Sequence, residues 1–421
     1  MKKLSYIVLF LILGMNLTAQ SVWDGKREAI RNGSGTENDP YLIENAQQLA
    51  WFVYTVNWDY APWTNDQHFL LTTDINLNGS PDNQWIPIGA GPSASGSKYF
   101  NGVIDGGFHK ISGFYIDNDN AIGDKNSMWE SSFAAFFVQL GNNATVKNLY
   151  LEGSVTNDMK SAGFSGKNGI FEYCVADVDV ESDKSTVAGF VAMGNPTIEF
   201  SANLGDIKGY QGVGGFIGIN GIVRNCYNTG KIEGDDAVGG IAGRSTEIVN
   251  CYNVGEIVCG NGTNKKGGIV GFFPSSGNVT NCYYLESCMD GSNGYGEPKT
   301  AGFMRSRDFV DLLNNDTNVW VMDEKFTNDG YPVFGNVEFG INENFFDNTD
   351  LVVVFPNPAA DYINVLGDAL SCEIYDMVGR RVKTVSGNID NISVTDLNTG
   401  VYMIRFTMRN GSVVTKKIVK K

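Results

Sequence analysis

The sequence predicts an all-β protein, a parallel β-helix (solenoid) followed by a small C-terminal β-sandwich, on three observations. The chain contains 51 glycines in 421 residues, which favours tight turns over long helices. Residues 351–421 contain short alternating apolar runs about ten residues apart, the pattern of a small sandwich. One glycine recurs in register with spacings of 26, 26, 25 and 28 residues, a period typical of a solenoid. These glycines are Gly163, Gly189, Gly215, Gly240 and Gly268.

One repeat unit, residues 214–238, reads GGFIGINGIVRNCYNTGKIEGDDAV. Its β-prone runs lie around 216–217, 222–227 and 231–232, with Gly or Asn between them. Three short strands with turns use about 25 residues, enough for one coil of a parallel β-helix whose coils pair at roughly 4.8 Å. Helical repeats are excluded because they are longer and need a 3.6-residue apolar period.

The tripeptide Asn-Cys-Tyr occurs three times at the repeat spacing, starting at Asn225, Asn250 and Asn281. In-register stacking predicts a ladder of amide hydrogen bonds through these asparagines. Strict alternation would place each Asn on the side of the preceding core residue, so a bend at Asn is expected to turn the Cys inward, a point the sequence leaves open. The expected core column is Val223, Ile248 and Val279, and the expected cysteine column is Cys226, Cys251 and Cys282.

The chain has seven cysteines, and the other four are Cys174, Cys259, Cys288 and Cys372. An exported protein could oxidise them, yet they follow the repeat instead of forming a compact disulfide framework. Stacking as small apolar side chains is therefore the preferred interpretation. Cys259 and Cys288, near the ends of neighbouring repeats, are the pair to test for a bridge.

The N-terminus predicts export. Residues 1–19, MKKLSYIVLFLILGMNLTA, combine two lysines, an apolar run and a small residue, Ala19, before a cleavage site. The run is too short to span a membrane comfortably, so we expect a cleaved secretory signal. The formal charge of −16 becomes −18 once Lys2 and Lys3 are removed. An acidic body argues against nucleic acid as a partner and for solubility at a surface.

The repeats GGIAG…IVNCYNVGEI and GGIVGFF…VTNCYYLES resemble the GLUG repeats of bacterial surface and secreted proteins. GSGTENDPYLIENAQQLAWF at 33–52 resembles the N-terminal lead-in of such proteins, and WVMDEKFTNDGYPVF at 320–334 their closing segment. The resemblance implies a right-handed β-helix of about eight to ten coils. It also implies short helical caps, one over 41–55 and one near Met304–Asn314. Copies at 134–201 lack Asn-Cys-Tyr, so the ladder should be interrupted there.

The C-terminal segments LVVVFPNPAADYINV, CEIYDMVGRRV and ISVTDLNTGVYMIRFTMRNGSVVTKKIVKK resemble the type A C-terminal sorting domain of the type IX secretion system in Bacteroidota. The resemblance implies recognition by the type IX translocon at the outer membrane, removal of the domain and attachment of the cargo to surface lipopolysaccharide. An ordinary carbohydrate-binding sandwich is the alternative. The matching residues are Pro356, Asn357, Pro358, Tyr375, Asp376, Gly379, Leu397, Gly400, Tyr402 and the lysine-rich end at 416–421, which begins with Lys416 and Lys417.

The predicted organisation is a signal peptide and two structural parts. Its ranges are 1–19 for the signal, 20–60 for an N-terminal cap, 61–290 for the β-helix, 291–339 for a C-terminal cap, 340–350 for a linker and 351–421 for the sorting domain.

The sequence predicts no catalytic residue, metal or cofactor. His68 and His109 are the two histidines, no H-E-x-x-H motif is present, and structural roles are favoured for both. ADVDVESD places Asp177, Asp179 and Glu181 on one outward face, with Val178 and Val180 inward. A solvated strand face is the preferred interpretation, and cation binding on that face is the alternative. Asp235 and Asp236 are interpreted as a plain loop.

The remaining signal is aromatic, at Trp51, Trp58, Tyr60, Trp63 and Trp85 near the N-terminal cap. Most should pack the cap, while one or two exposed rings could stack on sugars. The sequence favours a secreted or surface-anchored, non-catalytic β-helix, an adhesin or glycan-binding protein with host or environmental glycans as partners. The alternatives are a polysaccharide lyase or glycosidase and a purely structural surface spacer.

Overall fold

The computed structural model describes residues 20–421 except 59–65, 90–98, 118–132, 159, 184–185, 246, 261–264, 273–276, 316–318, 336–352, 356–358, 360, 367–368, 378, 387–388, 390 and 409–412. The predicted signal peptide, the predicted linker and the three motif residues Pro356, Asn357 and Pro358 lie outside the described residues. The chain forms two compact units, with the boundary between residues 341 and 342.

The first unit is a parallel β-helix and the second contains antiparallel sheets, so the predicted fold class is confirmed. The coil at residues 211–234 contains five short strands, where the sequence predicted three. They belong to four parallel sheets that run through successive coils, called faces 1 to 4 here in chain order. The last two strands of the coil both belong to face 4. These five strands are Gln211–Gly214, Ile217–Ile219, Ile222–Arg224, Tyr227–Asn228 and Ile232–Gly234.

Left-handed residues divide the predicted runs. Asn220 and Gly221 have φ of 59° and 135° and separate face 2 from face 3, while Asn225, at 52°, separates face 3 from face 4. Asn and Gly adopt this region at low cost, so the chain turns a corner there. The β-prone run at 222–227 is therefore two strands.

The described strands of the two short faces follow in chain order. Face 1 comprises Phe133–Ala134, Lys160–Ala162, Val187–Ala188, Gln211–Gly214, Asp236–Gly239 and Lys266–Gly267. Face 2 comprises Ser165–Lys167, Val191–Met193, Ile217–Ile219, Ala242–Arg244 and Val270–Phe272.

The two long faces run through more coils. Face 3 comprises Tyr41–Ile43, His68–Leu71, Val103–Asp105, Thr145–Lys147, Ile170–Glu172, Thr197–Glu199, Ile222–Arg224, Glu247–Val249 and Asn278–Thr280. Face 4 comprises Ser21–Val22, Ile75–Asn76, Lys110–Asp117, Tyr150–Thr156, Val175–Glu181, Ala202–Asn203, Ile207–Lys208, Tyr227–Asn228, Ile232–Gly234, Tyr252–Asn253, Ile257–Cys259, Tyr283–Leu285 and Glu297–Lys299.

The core is built from columns of one inward residue per coil. On face 3 the register stacks Val223 on Ile248 and Ile248 on Val279. Val223 and Ile248 are fully buried, while Val279, in the last coil, is half-buried. Earlier coils extend the same column with Phe69, Ile104, Val146, Phe171 and Ile198.

A helix, Ala46–Trp58, packs into the N-terminal end of this core. Its Phe52 lies with ring centroids 4.6 Å from Phe69 and 5.5 Å from Phe100. The Asn45 side chain accepts a hydrogen bond from the Gln48 backbone N–H at 2.8 Å and so caps the first turn.

The C-terminal end of the first unit has two parts. Residues 286–299, which begin with the 3₁₀ turn Glu286–Cys288, pack against the last coil and bury Cys288. Residues 300–335, called the clasp here, pack on the outer side of face 4. The clasp contains the helices Ala301–Met304 and Arg307–Asn314 and the antiparallel strands Trp320–Val321 and Val333–Phe334.

The second unit contains two antiparallel sheets around one core, in which Ile363, Cys372, Ile404 and Phe406 are fully buried. The three-stranded sheet comprises Val353–Phe355, Tyr362–Leu366 and Asn391–Ser393. The four-stranded sheet comprises Arg381–Ser386, Ala369–Asp376, Gly400–Met408 and Val413–Lys420.

Candidate functional site

The Asn-Cys-Tyr asparagines form one column, with φ of 52°, 55° and 52° at Asn225, Asn250 and Asn281. Nδ2 of Asn250 donates to Oδ1 of Asn225 over 2.6 Å, and Nδ2 of Asn281 donates to Oδ1 of Asn250 over 2.6 Å. The left-handed turn reverses the side-chain alternation. Each following cysteine therefore points into the core, and the three are Cys226, Cys251 and Cys282.

In earlier coils this outer amide ladder gives way to stacked aromatics. Tyr173 and Phe200 occupy the same left-handed position, with φ of 51° and 48°. Their rings stack at 4.8 Å with an interplanar angle of 10°. Aromatic stacking replaces amide hydrogen bonding where the sequence lacks Asn.

The structure contains a second, inner amide ladder that the sequence patterns did not predict. Asn203, Asn228 and Asn253 are fully buried and in register. Nδ2 of Asn203 donates to Oδ1 of Asn228 over 2.7 Å, and Nδ2 of Asn228 donates to Oδ1 of Asn253 over 2.7 Å. Each Nδ2 also donates to the carbonyl of the glycine two residues later. The recurrence of Asn-x-Gly, as NLG, NTG and NVG, was the available signal.

The inner ladder explains most of the in-register glycine column. A Cβ at Gly189 would lie 1.9 Å from Oδ1 of Asn203, and one at Gly215 would lie 2.7 Å from Oδ1 of Asn228. A Cβ at Gly240 would overlap the side chain of Asn253. A Cβ at Gly163 would instead overlap the carbonyl oxygen of Gly189, and one at Gly268 the ring of Tyr284. A side chain at these positions would overlap atoms already present, so the repeat needs glycine there.

The tyrosines of the motif point outward and receive the clasp. The rings of Tyr227 and Tyr252 stack at 5.3 Å with an interplanar angle of 7°. The Tyr252 ring lies 5.4 Å from Trp320, and its hydroxyl donates to the carbonyl of Pro332. Asn328 Nδ2 donates to the same hydroxyl over 2.8 Å. This column holds the clasp on face 4.

The buried cysteines are unreactive thiols. Burial raises the pKa of Cys174 to about 12 and holds the pKa values of Cys251 and Cys282 well above their usual range. Protonated thiols are poor nucleophiles and poor metal ligands. Cys259 and Cys288 are both thiols in the structure and no bridge joins them.

The outward acidic side chains of face 4 make structural bonds. Asp177 accepts a hydrogen bond from the Tyr150 hydroxyl at 2.7 Å, and Asp179 accepts one from the Asp206 backbone N–H at 2.9 Å. Glu181 pairs with the ammonium of Lys208. Val178 and Val180 point inward and are buried. Within the described ranges, no three or more His, Cys, Asp or Glu side chains cluster as metal ligands.

Within the described part of the chain, the histidines and Trp51, Trp58 and Trp85 form no common site. Nδ1 of His109 lies 3.0 Å from Oδ1 of Asp74, which also accepts the Lys110 backbone N–H, while His68 lies half-buried in a face 3 strand. Trp85 is buried and stacks on Phe136 at 4.7 Å. Trp51 is half-buried, Trp58 is exposed, and Tyr60 and Trp63 lie outside the described residues.

The stacked turns between face 4 and face 1 form a pocket of about 180 Å³. Tyr210 lines it and is 48 % exposed. Its carbonyl accepts the backbone N–H groups of Asp235 and Asp236 at 2.9 and 3.1 Å, which ties two successive turns together. The charged lining residues are Asp183, Lys208, Glu233 and Asp235.

The plain-loop interpretation holds for Asp235, which lies in a bend between two strands, and is wrong for Asp236. Asp235 lines the pocket, and Asp236 begins the strand Asp236–Gly239. Asp236 forms ion pairs with Arg244 at 3.2 Å and Lys265 at 3.3 Å.

In the second unit the described motif residues support turns and the core. Asp376 accepts the Arg380 backbone N–H at 2.9 Å across a turn in which Gly379 has φ of 80°. Leu397 and Tyr402 are buried, and the Tyr402 hydroxyl donates to the Asn398 carbonyl at 2.8 Å. The remaining described positions lie on strands, Tyr375 on Ala369–Asp376, Gly400 on Gly400–Met408, and Lys416 and Lys417 on Val413–Lys420.

Comparisons with known proteins agree with both parts. Residues 353–421 match the family described as "Secretion system C-terminal sorting domain", and residues 209–233 match "The GLUG motif". The second match falls on the coil that contains Tyr210.

Two relatives are similar over shorter stretches. A putative Gly-rich membrane protein of Evansella cellulosilytica is 30% identical over 138 residues, 32% of this chain and 13% of that protein. Halomucin of Haloquadratum walsbyi is 28% identical over 152 residues, 32% of this chain and 2% of that protein. The chain thus spans a small part of the length of either relative.

Among the residues described here, no helix is long and apolar enough to cross a membrane. The repeat, the parallel coil and the two family matches give one assignment. The chain contains a GLUG motif within a parallel β-helix and, after it, a segment that matches the C-terminal sorting domain of a secretion system.

Proposed function

We propose that the protein is a non-catalytic glycan-binding protein of the cell surface, and that the pocket around Tyr210 holds the sugar. The sorting domain supports secretion or surface attachment. The observation that carries the proposal is the half-exposed Tyr210 ring in a pocket lined by carboxylates, an ammonium group and glycines. Aromatic rings stack on the apolar faces of sugars, and polar groups around the ring bind the hydroxyls.

Backbone hydrogen bonds between coils support the walls of the pocket. Its walls come from the strand ends and following turns of four successive coils, at 182–183, 208–210, 233–235 and 258–260. Hydrogen bonds between coils hold these turns, since the Gly209 and Gly260 backbone N–H groups donate to the carbonyls of Glu233 and Gly234 at 2.9 and 2.8 Å. Such support reduces the ordering cost of binding.

A glycan array probed with the mature chain tests the proposal. We expect binding to at least one glycan class, and Tyr210→Ala should weaken it at least about tenfold because the stacking ring is lost. Tyr210→Phe keeps the ring and should retain most of the affinity. Phe326→Ala removes a 76 % exposed ring in the clasp and is the matched control.

The proposal fails if no glycan binds, or if Tyr210→Ala binds as well as the unchanged protein. Cleavage of a bound polysaccharide by the mature chain would also overturn it, since it would make the protein a polysaccharide-active enzyme.

A further inference from the structure

The four-stranded sheet of the second unit has one side in the core and one side turned away from it. Its inward side chains include Cys372, Ile404 and Phe406, which are fully buried. Because side chains alternate along a strand, the residues between them lie on the other side of the sheet. Two rows of paired residues, called the outer rows here, cross that side. The first row is Thr384, Glu373, Arg405 and Thr415, and the second row is Arg381, Tyr375, Met403 and Lys417.

The outer rows contain the residue types that are typical of a protein-binding surface. Tyr375 and Met403 are half-buried neighbours in the middle of the second row. Arg381, at one end of that row, and Arg405, in the first row, are exposed. The Tyr375 hydroxyl donates to the Glu373 carboxylate at 2.7 Å, which restrains the ring. Tyr, Met and Arg are enriched in protein interfaces, and restrained aromatic anchors lose little entropy on binding.

The outer rows are also positively charged. Their cations are Arg381, Arg405 and Lys417, whereas Glu373 is the one carboxylate in the two rows. Glu373 forms an ion pair with Arg381. The whole segment 353–421 is basic as well, with nine Lys or Arg against six Asp or Glu. A surface of this charge attracts an acidic partner and disfavours a basic one.

We infer that the outer rows are the docking surface of the second unit, and that their partner is a protein of the secretion machinery with an acidic surface around an apolar centre. The match of residues 353–421 to a secretion-system sorting domain supports the choice of partner. Arg405 and Lys417 attract the carboxylates of the partner. Tyr375 and Met403 pack against its apolar centre.

Charge reversal in the outer rows tests the inference in a host that delivers the unchanged full chain to its surface. Arg405→Glu should lower the amount of chain at the surface at least about tenfold, because a carboxylate then faces the carboxylates of the partner. The retained chain should accumulate in the periplasm. Arg405→Lys keeps the charge and should be delivered nearly as well as the unchanged chain.

Arg307→Glu reverses the charge of an exposed arginine in the clasp and is the matched control, which should be delivered normally. Thermal melts of the purified chains check that Arg405→Glu folds. If it does not, Thr415→Glu is the second variant, since it places a carboxylate beside Arg405 at another exposed position. It should cause the same loss of delivery.

Normal surface delivery of the folded variant, Arg405→Glu or Thr415→Glu, would overturn the inference. Equal losses in Arg405→Glu and Arg307→Glu would overturn it too, because the effect would then be one of total charge. A variant chain that leaves the periplasm and is then released from the cell would also overturn it. That outcome would assign the outer rows to an anionic polymer of the cell surface.

Discussion

At the scale of the residue, four adjacent positions, 250 to 253, have four different tasks. Asn250 makes the left-handed bend and the outer ladder, and Cys251 fills the core. Tyr252 receives the clasp outside, and Asn253 joins the buried inner ladder. A slip by one residue would send each side chain to the wrong side of the backbone, so the motif fixes the register of the coils.

The two ladders should differ in their importance for stability. Asn228→Ala removes a fully buried amide that contacts two neighbouring asparagines and the Gly230 carbonyl. It leaves buried partners without hydrogen bonds, so we expect a loss of about 2–4 kcal/mol in unfolding free energy. Asn250→Gly keeps the left-handed turn and removes an amide of the more exposed outer ladder, and should cost about 1–2 kcal/mol. Urea denaturation of both variants measures the difference, and equal losses would contradict it.

The glycine column should tolerate no methyl group. A Cβ at Gly215 would lie 2.6 Å from the Gly240 carbonyl oxygen and 2.7 Å from Asn228 Oδ1. We expect Gly215→Ala to cost about 1–3 kcal/mol through overpacking. Gly302, where a Cβ would meet nothing within 4 Å, is the control. Thermal melts should show Gly302→Ala unchanged, and a similar melt for Gly215→Ala would refute the packing argument.

At the scale of the element, the clasp is held on face 4 by side-chain contacts, and its described strands pair with each other. Its hold on face 4 includes aromatic contacts to Tyr227, Tyr252 and Tyr283 and the hydrogen bonds of Tyr252. The coils, in contrast, pair along whole sheets. The clasp should therefore open before the coils unfold.

Acid should loosen the clasp through Asp323. Burial opposes ionisation of this carboxylate, yet the backbone N–H groups of Asn328, Thr327 and Gly330 donate to it, and the net effect lowers its pKa below 3.8. A lowered folded-state pKa contributes stability that is complete above the unfolded value and is lost as the pH falls through the folded value. We expect faster hydrogen exchange in 300–335 as the pH falls below about 4, after correction for intrinsic rates.

Asp323→Asn is the matched variant, since it keeps the shape and cannot titrate. It should exchange faster in the clasp at neutral pH and show a flatter acid dependence than the unchanged protein. An unchanged acid dependence in this variant would assign the effect to another group.

At the scale of the whole molecule, the two compact units contain different features. The first carries the coils, the pocket and the clasp, and the second matches the sorting domain. Each coil of a solenoid contacts its neighbours, so the first unit has its own core and its own end caps.

Removal of the second unit should abolish delivery and leave the β-helix folded. A chain ending near Asn344 should melt within about 2 °C of the corresponding transition of the full-length protein and accumulate in the periplasm of a host with a type IX system. Residues 340–421 fused to a neutral exported reporter should carry it to the cell surface. Surface display of the shortened chain, or a fusion retained in the periplasm, would contradict the role of the unit as an address.

The sequence by itself determined the period, the fold class and the order of the two parts. In-register stacking explains this success, because residues that stack in one column recur in the sequence at the same position of each repeat. Gly189, Gly215 and Gly240 were visible as a column for this reason, as were Asn225, Asn250 and Asn281.

Only the tertiary structure showed which residues, from other positions in the chain, pack against each column. Gly189 lies opposite Asn203, and Tyr252 lies beneath Trp320 and Pro332, contacts that join distant positions in the chain. The sequence led us to expect a bend at Asn225, and the structure shows that this left-handed bend divides the run at 222–227 into two strands. The pocket around Tyr210 exists only where turns from successive coils meet, because no single turn encloses a volume.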